Sequence, residues 1–146
     1  MTQLKRTVPM KAAASVTQYD FCKTDTGATK STVTGSLPFG MSTLTVDNSA
    51  GVYDTKKTTL IREGPGKALA IVEDQTVATG GLFSSDIAVG DPLQLIVISG
   101  TTYLAKEVGA TSPTSAYAIE IVTGDTSGNT TSIIEVDFCM NQNPRV

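Results

Sequence analysis

Few side chains in this sequence could do chemistry. It has no histidine, two cysteines, and 14 carboxylates against 11 lysines and arginines. Histidine is the usual proton carrier near neutral pH, so general acid–base catalysis lacks its commonest agent. Cys22 and Cys139 have no CxxC spacing and no imidazole nearby, which leaves neither a zinc site nor a thiolate–imidazole pair. Strand alternation puts Ile134, Val136, Phe138 and Met140 on one face of the last apolar stretch and Cys139 on the more polar face. By the same count Cys22 shares a face with Asp20, opposite Tyr19 and Phe21. A disulfide would need these two strands to adjoin; two free thiols in a reducing cytosol are the expectation. Asp20, Asp25, Asp47, Asp54, Asp91 and Asp125 all sit beside turns, where aspartate caps its own backbone. The loops Asp47-x-x-x-Gly51 and Asp125-x-x-Gly128 lack the alternating oxygen ligands and the terminal glutamate of a calcium site. Gly64-Pro65-Gly66-Lys67 is too short for a phosphate loop and has no Ser or Thr after the lysine, so it reads as a turn. No serine stands in a G-x-S-x-G elbow. No catalytic, metal or cofactor site is expected, and the chain does not read as an enzyme.

The elements that carry these residues are strands. Threonine occurs 23 times, and with valine and isoleucine it favours β-structure over helix. The segment from Ala88 to Val108 is the plainest case. Gly90-Asp91-Pro92 opens it, Leu93 and Leu95 to Ile98 run nearly unbroken, Ser99-Gly100-Thr101 turns it, and Tyr103 to Val108 returns. A continuous apolar strand implies that both its faces are covered, by a barrel or by a neighbouring subunit. With 146 residues, 40% of them hydrophobic, one soluble domain is the default. No apolar run approaches the ~20 residues of a membrane span, and Pro9 and Lys11 interrupt any secretory signal behind Lys5 and Arg6. Residues 1–18 carry Lys5, Arg6 and Lys11 and no acid, while residues 19–146 carry 8 bases and 14 acids. The body is therefore acidic and poorly suited to nucleic acid. Residues 1–18 read as an extended basic arm and 19–146 as one β domain.

Turn residues recur at a nearly fixed distance. Gly27 and Gly100 are 73 residues apart, Gly35 and Gly109 74, Pro38 and Pro113 75, and Ile61 and Ile134 73. This spacing predicts an internal repeat over about 19–64 and 91–140. Each copy would run strand, turn, strand, break, strand, turn, strand. Two related four-stranded units make a small β-barrel or β-tulip-like domain, since closure hides exposed edges. The linker from Lys67 to Val89 holds a short strand, Ala68 to Val72, and the pair Leu82-Phe83, which either presents an apolar tip or folds back to cap the barrel.

In order, the chain reads Tyr19-Asp20-Phe21-Cys22-Lys23-Thr24-Asp25, Pro38-Phe39-Gly40-Met41, Thr59-Leu60-Ile61-Arg62-Glu63-Gly64, Ala88-Val89-Gly90-Asp91-Pro92-Leu93, Tyr117-Ala118-Ile119 and Ile133-Ile134-Glu135-Val136. This succession, over about residues 19–140, resembles the capsid decoration or cement proteins of tailed bacteriophages. There are departures: Ala118 stands where the first break has Gly40, and the segment Ser49 to Lys57 is longer than its counterpart. The resemblance implies a non-catalytic virion protein, made in the host cytoplasm, that binds the capsid exterior as a homotrimer. It would clamp the major capsid protein of the expanded shell against internal DNA pressure. Capsid contacts are then expected at Leu4, Lys5, Arg6, Val8, Pro9 and Met10, and an oligomer or capsid interface at Leu82, Phe83, Ile96 and Ile98. Deleting residues 1–15 should on this view leave the barrel folded and weaken capsid binding. A bacterial surface or pilus-like β-subunit with Thr-rich adhesive faces is the alternative. A carbohydrate-binding barrel is less well supported, because aromatic platforms are scarce with four Tyr, four Phe and no Trp.

Overall fold

The computed structural model describes residues 6–24, 27–48, 56–72, 86–107, 109, 112–121 and 130–140. Among these residues there is no helix. The strands are β1 (Arg6–Lys11), β2 (Phe21–Thr24), β3 (Ala28–Lys30), β4 (Gly40–Ser42), β5 (Lys57–Val72), β6 (Pro92–Ile98), β7 (Thr101–Ala105), β8 (Ala116–Ala118) and β9 (Thr130–Cys139). The chain is all-β.

The 16-residue β5 ties the two halves together. Its first part pairs antiparallel with β1 and β4, and its second part, from Glu63 onward, pairs antiparallel with β9. In the second half β5, β7, β6, β8 and β9 close a five-stranded barrel, with a parallel pairing of Ala70 and Leu104 as the closing contact. In the first half β3, β2, β4, β5 and β1 follow the same order, and a parallel bridge between Ala12 and Ala28 joins the ends.

The halves correspond pair by pair. Phe21 faces Met41 and Met41 faces Ile61, as Pro92 faces Tyr117 and Tyr117 faces Asp137. Cys22 with Gly40 matches Leu93 with Ala116, and Ala12 with Ala28 matches Ala70 with Leu104. Corresponding residues lie 71 apart at β2 and β6 but 76 apart at β4 and β8. The 73 to 75 expected from glycine and proline spacing falls between these values, because the β6–β7 hairpin is longer than β2–β3. That hairpin turns at Ser99 and Gly100, with φ of 51° and 79°. Left-handed backbone at both positions is the two-residue turn whose twist matches the strands it joins.

Two expectations need correction. Gly64-Pro65-Gly66 does not stop a strand but lies inside β5, and the expected linker strand Ala68 to Val72 is the end of that same strand. Here β5 exchanges its partners, so an exposed proline without an N–H is tolerated opposite Asp137. Gly66 is required by crowding: a Cβ there would lie 2.8 Å from the Phe138 ring and 3.2 Å from Ile61. The second correction concerns residues 1–18, which from Arg6 onward are part of the β domain. β1 pairs with β5 from Lys11↔Lys57 to Arg6↔Glu63. Beyond it, Ala12 N–H donates to Lys56 O at 2.9 Å, Asn48 Nδ2 donates to Ala12 O at 2.9 Å, and Val16 and Val46 exchange backbone bonds of 3.0 and 2.8 Å. Apolar Val8, Met10, Ala12 and Val16 supply the reason, since their burial outweighs the polar composition around them.

Two main cores result. Val16, Cys22, Ala28 and Leu60, with Met10, Phe39 and Val46 against them, fill the first unit. Ala68, Ala70, Leu93, Leu95, Leu104, Ile134, Val136, Phe138 and Met140 fill the second, and Phe21, Met41 and Ile61 from the first unit join that cluster. Leu93 to Ile96 is buried on both faces, with Ile96 packed near Ile71 and Ala105.

A candidate interaction surface

The same turn leads into β2 in the first unit and into β6 in the second. Asp20 N–H donates to Thr17 O at 2.9 Å while Thr17 N–H donates to Asp20 Oδ2 at 2.8 Å; Asp91 and Ala88 repeat this at 3.1 and 2.8 Å. The third residue must have positive φ, and it is Tyr19 at 76° in one unit and Gly90 at 89° in the other. These carboxylates are structural. Partial desolvation pushes the Asp91 carboxyl up, but the Ala88 amide and Lys106, at 3.0 Å, together outweigh it and leave the group below its ordinary range. Cys22 is fully buried, and burial, helped by Asp20, pushes its thiol up from 9.0 to about 12. Its Sγ donates to Asp20 O, and the Cys139 Sγ to Thr114 O, both at 3.6 Å. Among the described residues no group of three His, Cys, Asp or Glu side chains could hold a metal ion. Gly51 and the loop Asp125 to Gly128 lie outside the described residues.

Where the two units meet, a cleft of about 490 Å³ opens, lined by Tyr19, Met41 and Thr43 of the first and Lys67, Ile119 and Glu135 of the second. Arg62 braces this junction. Its Nε donates to Phe39 O at 2.8 Å, its guanidinium stacks 3.9 Å from the Phe39 ring, and its backbone carbonyl accepts from Met140 N–H at 2.8 Å. From the cleft an apolar stripe runs over the outer face of the second unit. Tyr117 is 44% exposed, Ile119 45%, Ile121 71% and Ile133 48%, values high enough to offer contact area rather than fill a core.

The residues expected to form a site are scattered. Arg6 and Pro9 are exposed on β1, and Val8 and Met10 are half-buried there. Ile96 is internal, and Ile98 is half-buried at the hairpin end. Leu4, Lys5, Leu82 and Phe83 lie outside the described residues. Sequence reasoning missed the stripe. The alternation of Tyr117, Ile119 and Ile121 with Ala118 and Glu120 was its available signal, but bulk at the odd positions suggests core, whereas the structure buries the alanines at 116 and 118 instead.

No family model matches the chain, and no curated protein does. A solved structure does: the crystal structure of the N base of head fiber gp8.5 of bacteriophage phi29, at a TM-score of 0.52 and 15% identity. The likeness covers 97% of this chain and 100% of that one. The chain has the fold of a head-fiber base. At this identity the correspondence is one of architecture, and it takes in the whole molecule rather than one unit.

Proposed function

We propose that the protein is a structural component of a tailed-phage head, which binds the capsid exterior and stabilises the expanded shell against internal DNA pressure. The observation that carries this reading is the end-to-end match with a head-fiber base, to which the order of the sequence motifs adds. The partner is the major capsid protein, and the assembled form on the shell is a homotrimer. β1 suits the capsid contact. Among the described residues its only strand partner is β5, so its other edge offers backbone groups for strand addition, flanked by Arg6 and Lys11. Arg6, Val8, Pro9 and Met10, with Leu4 and Lys5 before them, are the proposed contacts.

The test is co-sedimentation of purified protein with expanded heads assembled without it. Saturation at a fixed number of copies, with heads more resistant to heat, is the expected result, and Arg6→Glu should weaken binding. Heads that never retain the protein at any concentration would overturn the reading.

A further inference from the structure

We infer that the outer face of β8 and β9 is a self-association surface on which a second copy of this chain docks head to tail. In the first unit, the row Phe21, Met41 and Ile61 faces out from its own core yet is almost fully buried, at 0%, 3% and 1% exposure, because the second unit covers it. The same row in the second unit is Pro92, Tyr117 and Asp137, and nothing comparable covers it among the described residues: Tyr117 is 44% exposed. One unit's face is thus satisfied inside the chain, and its counterpart is presented outward.

The substitutions between the units point the same way. Thr43 and Thr45 of the first unit correspond to Ile119 and Ile121 of the second at the 76-residue offset fixed by Met41 and Tyr117. Thr43 N–H donates to Thr59 O as Ile119 N–H donates to Glu135 O, at 2.9 and 3.0 Å, which confirms the register. Lys57 corresponds in turn to Ile133. At these equivalent positions the first unit carries Thr43, Thr45 and Lys57, and the second, where the stripe is presented, carries isoleucine. Exposed isoleucines in a row are a docking face rather than a solvated one.

Charge selects the occupant. Residues 1–63 hold 8 bases and 5 acids, net +3, and residues 64–146 hold 3 bases and 9 acids, net −6. The stripe itself is edged by Glu120, Glu135 and Asp137. A second copy offering its basic first unit to this acidic, isoleucine-rich face is complementary in both respects, whereas two second units face to face would repel. The contact is therefore heterologous, repeats the internal unit-to-unit interface, and closes into a ring when its rotation permits.

The inference deepens the homotrimer reading above but is tested on free protein. Sedimentation velocity of the full chain across a wide concentration range should show a discrete oligomer. Ile119→Asp should raise its dissociation constant roughly 30-fold or more, as loss of an interface anchor does. Ile121→Ser, at the most exposed position of the stripe, provides a second variant that leaves the core untouched, and it should weaken the oligomer in the same direction. A wild-type chain that stays monomeric, or folded variants whose oligomer is unchanged, would overturn the inference. Monomers that still saturate heads, with binding lost in Ile119→Asp, would assign the face to the capsid, ending this inference and leaving the head-protein reading intact.

Discussion

Tyr19 and Gly90 occupy equivalent places in two copies of one turn, at φ of 76° and 89°, and only one of them is glycine. A side chain at positive φ costs on the order of 1 kcal/mol, which the first unit tolerates because Tyr19 packs against the central core and its N–H donates to Ser42 O at 2.8 Å. At Gly90 a Cβ would meet nothing within 4 Å. Gly90→Ala should therefore cost about 1 kcal/mol from conformation alone, read from a urea midpoint with an unchanged slope. Cys22 makes a prediction in pH. Its folded pKa lies above that of the unfolded chain, so its contribution is complete below about pH 9.0 and declines as pH rises toward about 12. Over that interval stability should fall by roughly 1.4 kcal/mol per pH unit. Cys22→Ala should remove this slope, so that the difference between wild type and variant shrinks from pH 9 to pH 11. The turn roles of Asp20 and Asp91 were legible in the sequence, since aspartate before a strand has few other uses. The correspondence of Gly40 with Ala116, rather than with Ala118, was not. It depends on hairpin length, and on backbone at Gly40 so close that a Cβ would lie 2.9 Å from Ile61 O.

At the scale of elements, the β6–β7 hairpin was readable because a glycine turn and a long apolar run agree there. β5 was not, because Gly64-Pro65-Gly66 has the composition of a stop and continues only through a change of neighbours. β1 was obscured by Lys5, Arg6, Pro9 and Lys11, which look like a solvated arm when the strand that pairs with them is unseen. The correction changes the outcome of a simple experiment. Deleting residues 1–15 removes all of β1, buried Ala12 and the Ala12–Ala28 closure of the first unit. The truncated chain should lose several kcal/mol, a large share of a small domain's stability, and melt far below the full chain in a calorimeter. Unchanged melting would show that β1 is an accessory to a unit stable without it.

The whole molecule is two related units, oppositely charged in balance and built around one continuous strand. That strand has a consequence for how the chain is made. Everything the first unit needs, β1 through the first part of β5, has been synthesised by Glu63, whereas the second part of β5 must wait for β7 and, about 70 residues later, β9 to find its partners. A folded first unit thus holds out a bare strand end carrying Ala68, Ala70 and Ile71, three residues that are fully buried in the finished protein. During synthesis this nascent edge is the part most open to capture by another chain, and exposed Pro65 and Lys67 at its base are the kind of residues that discourage such pairing.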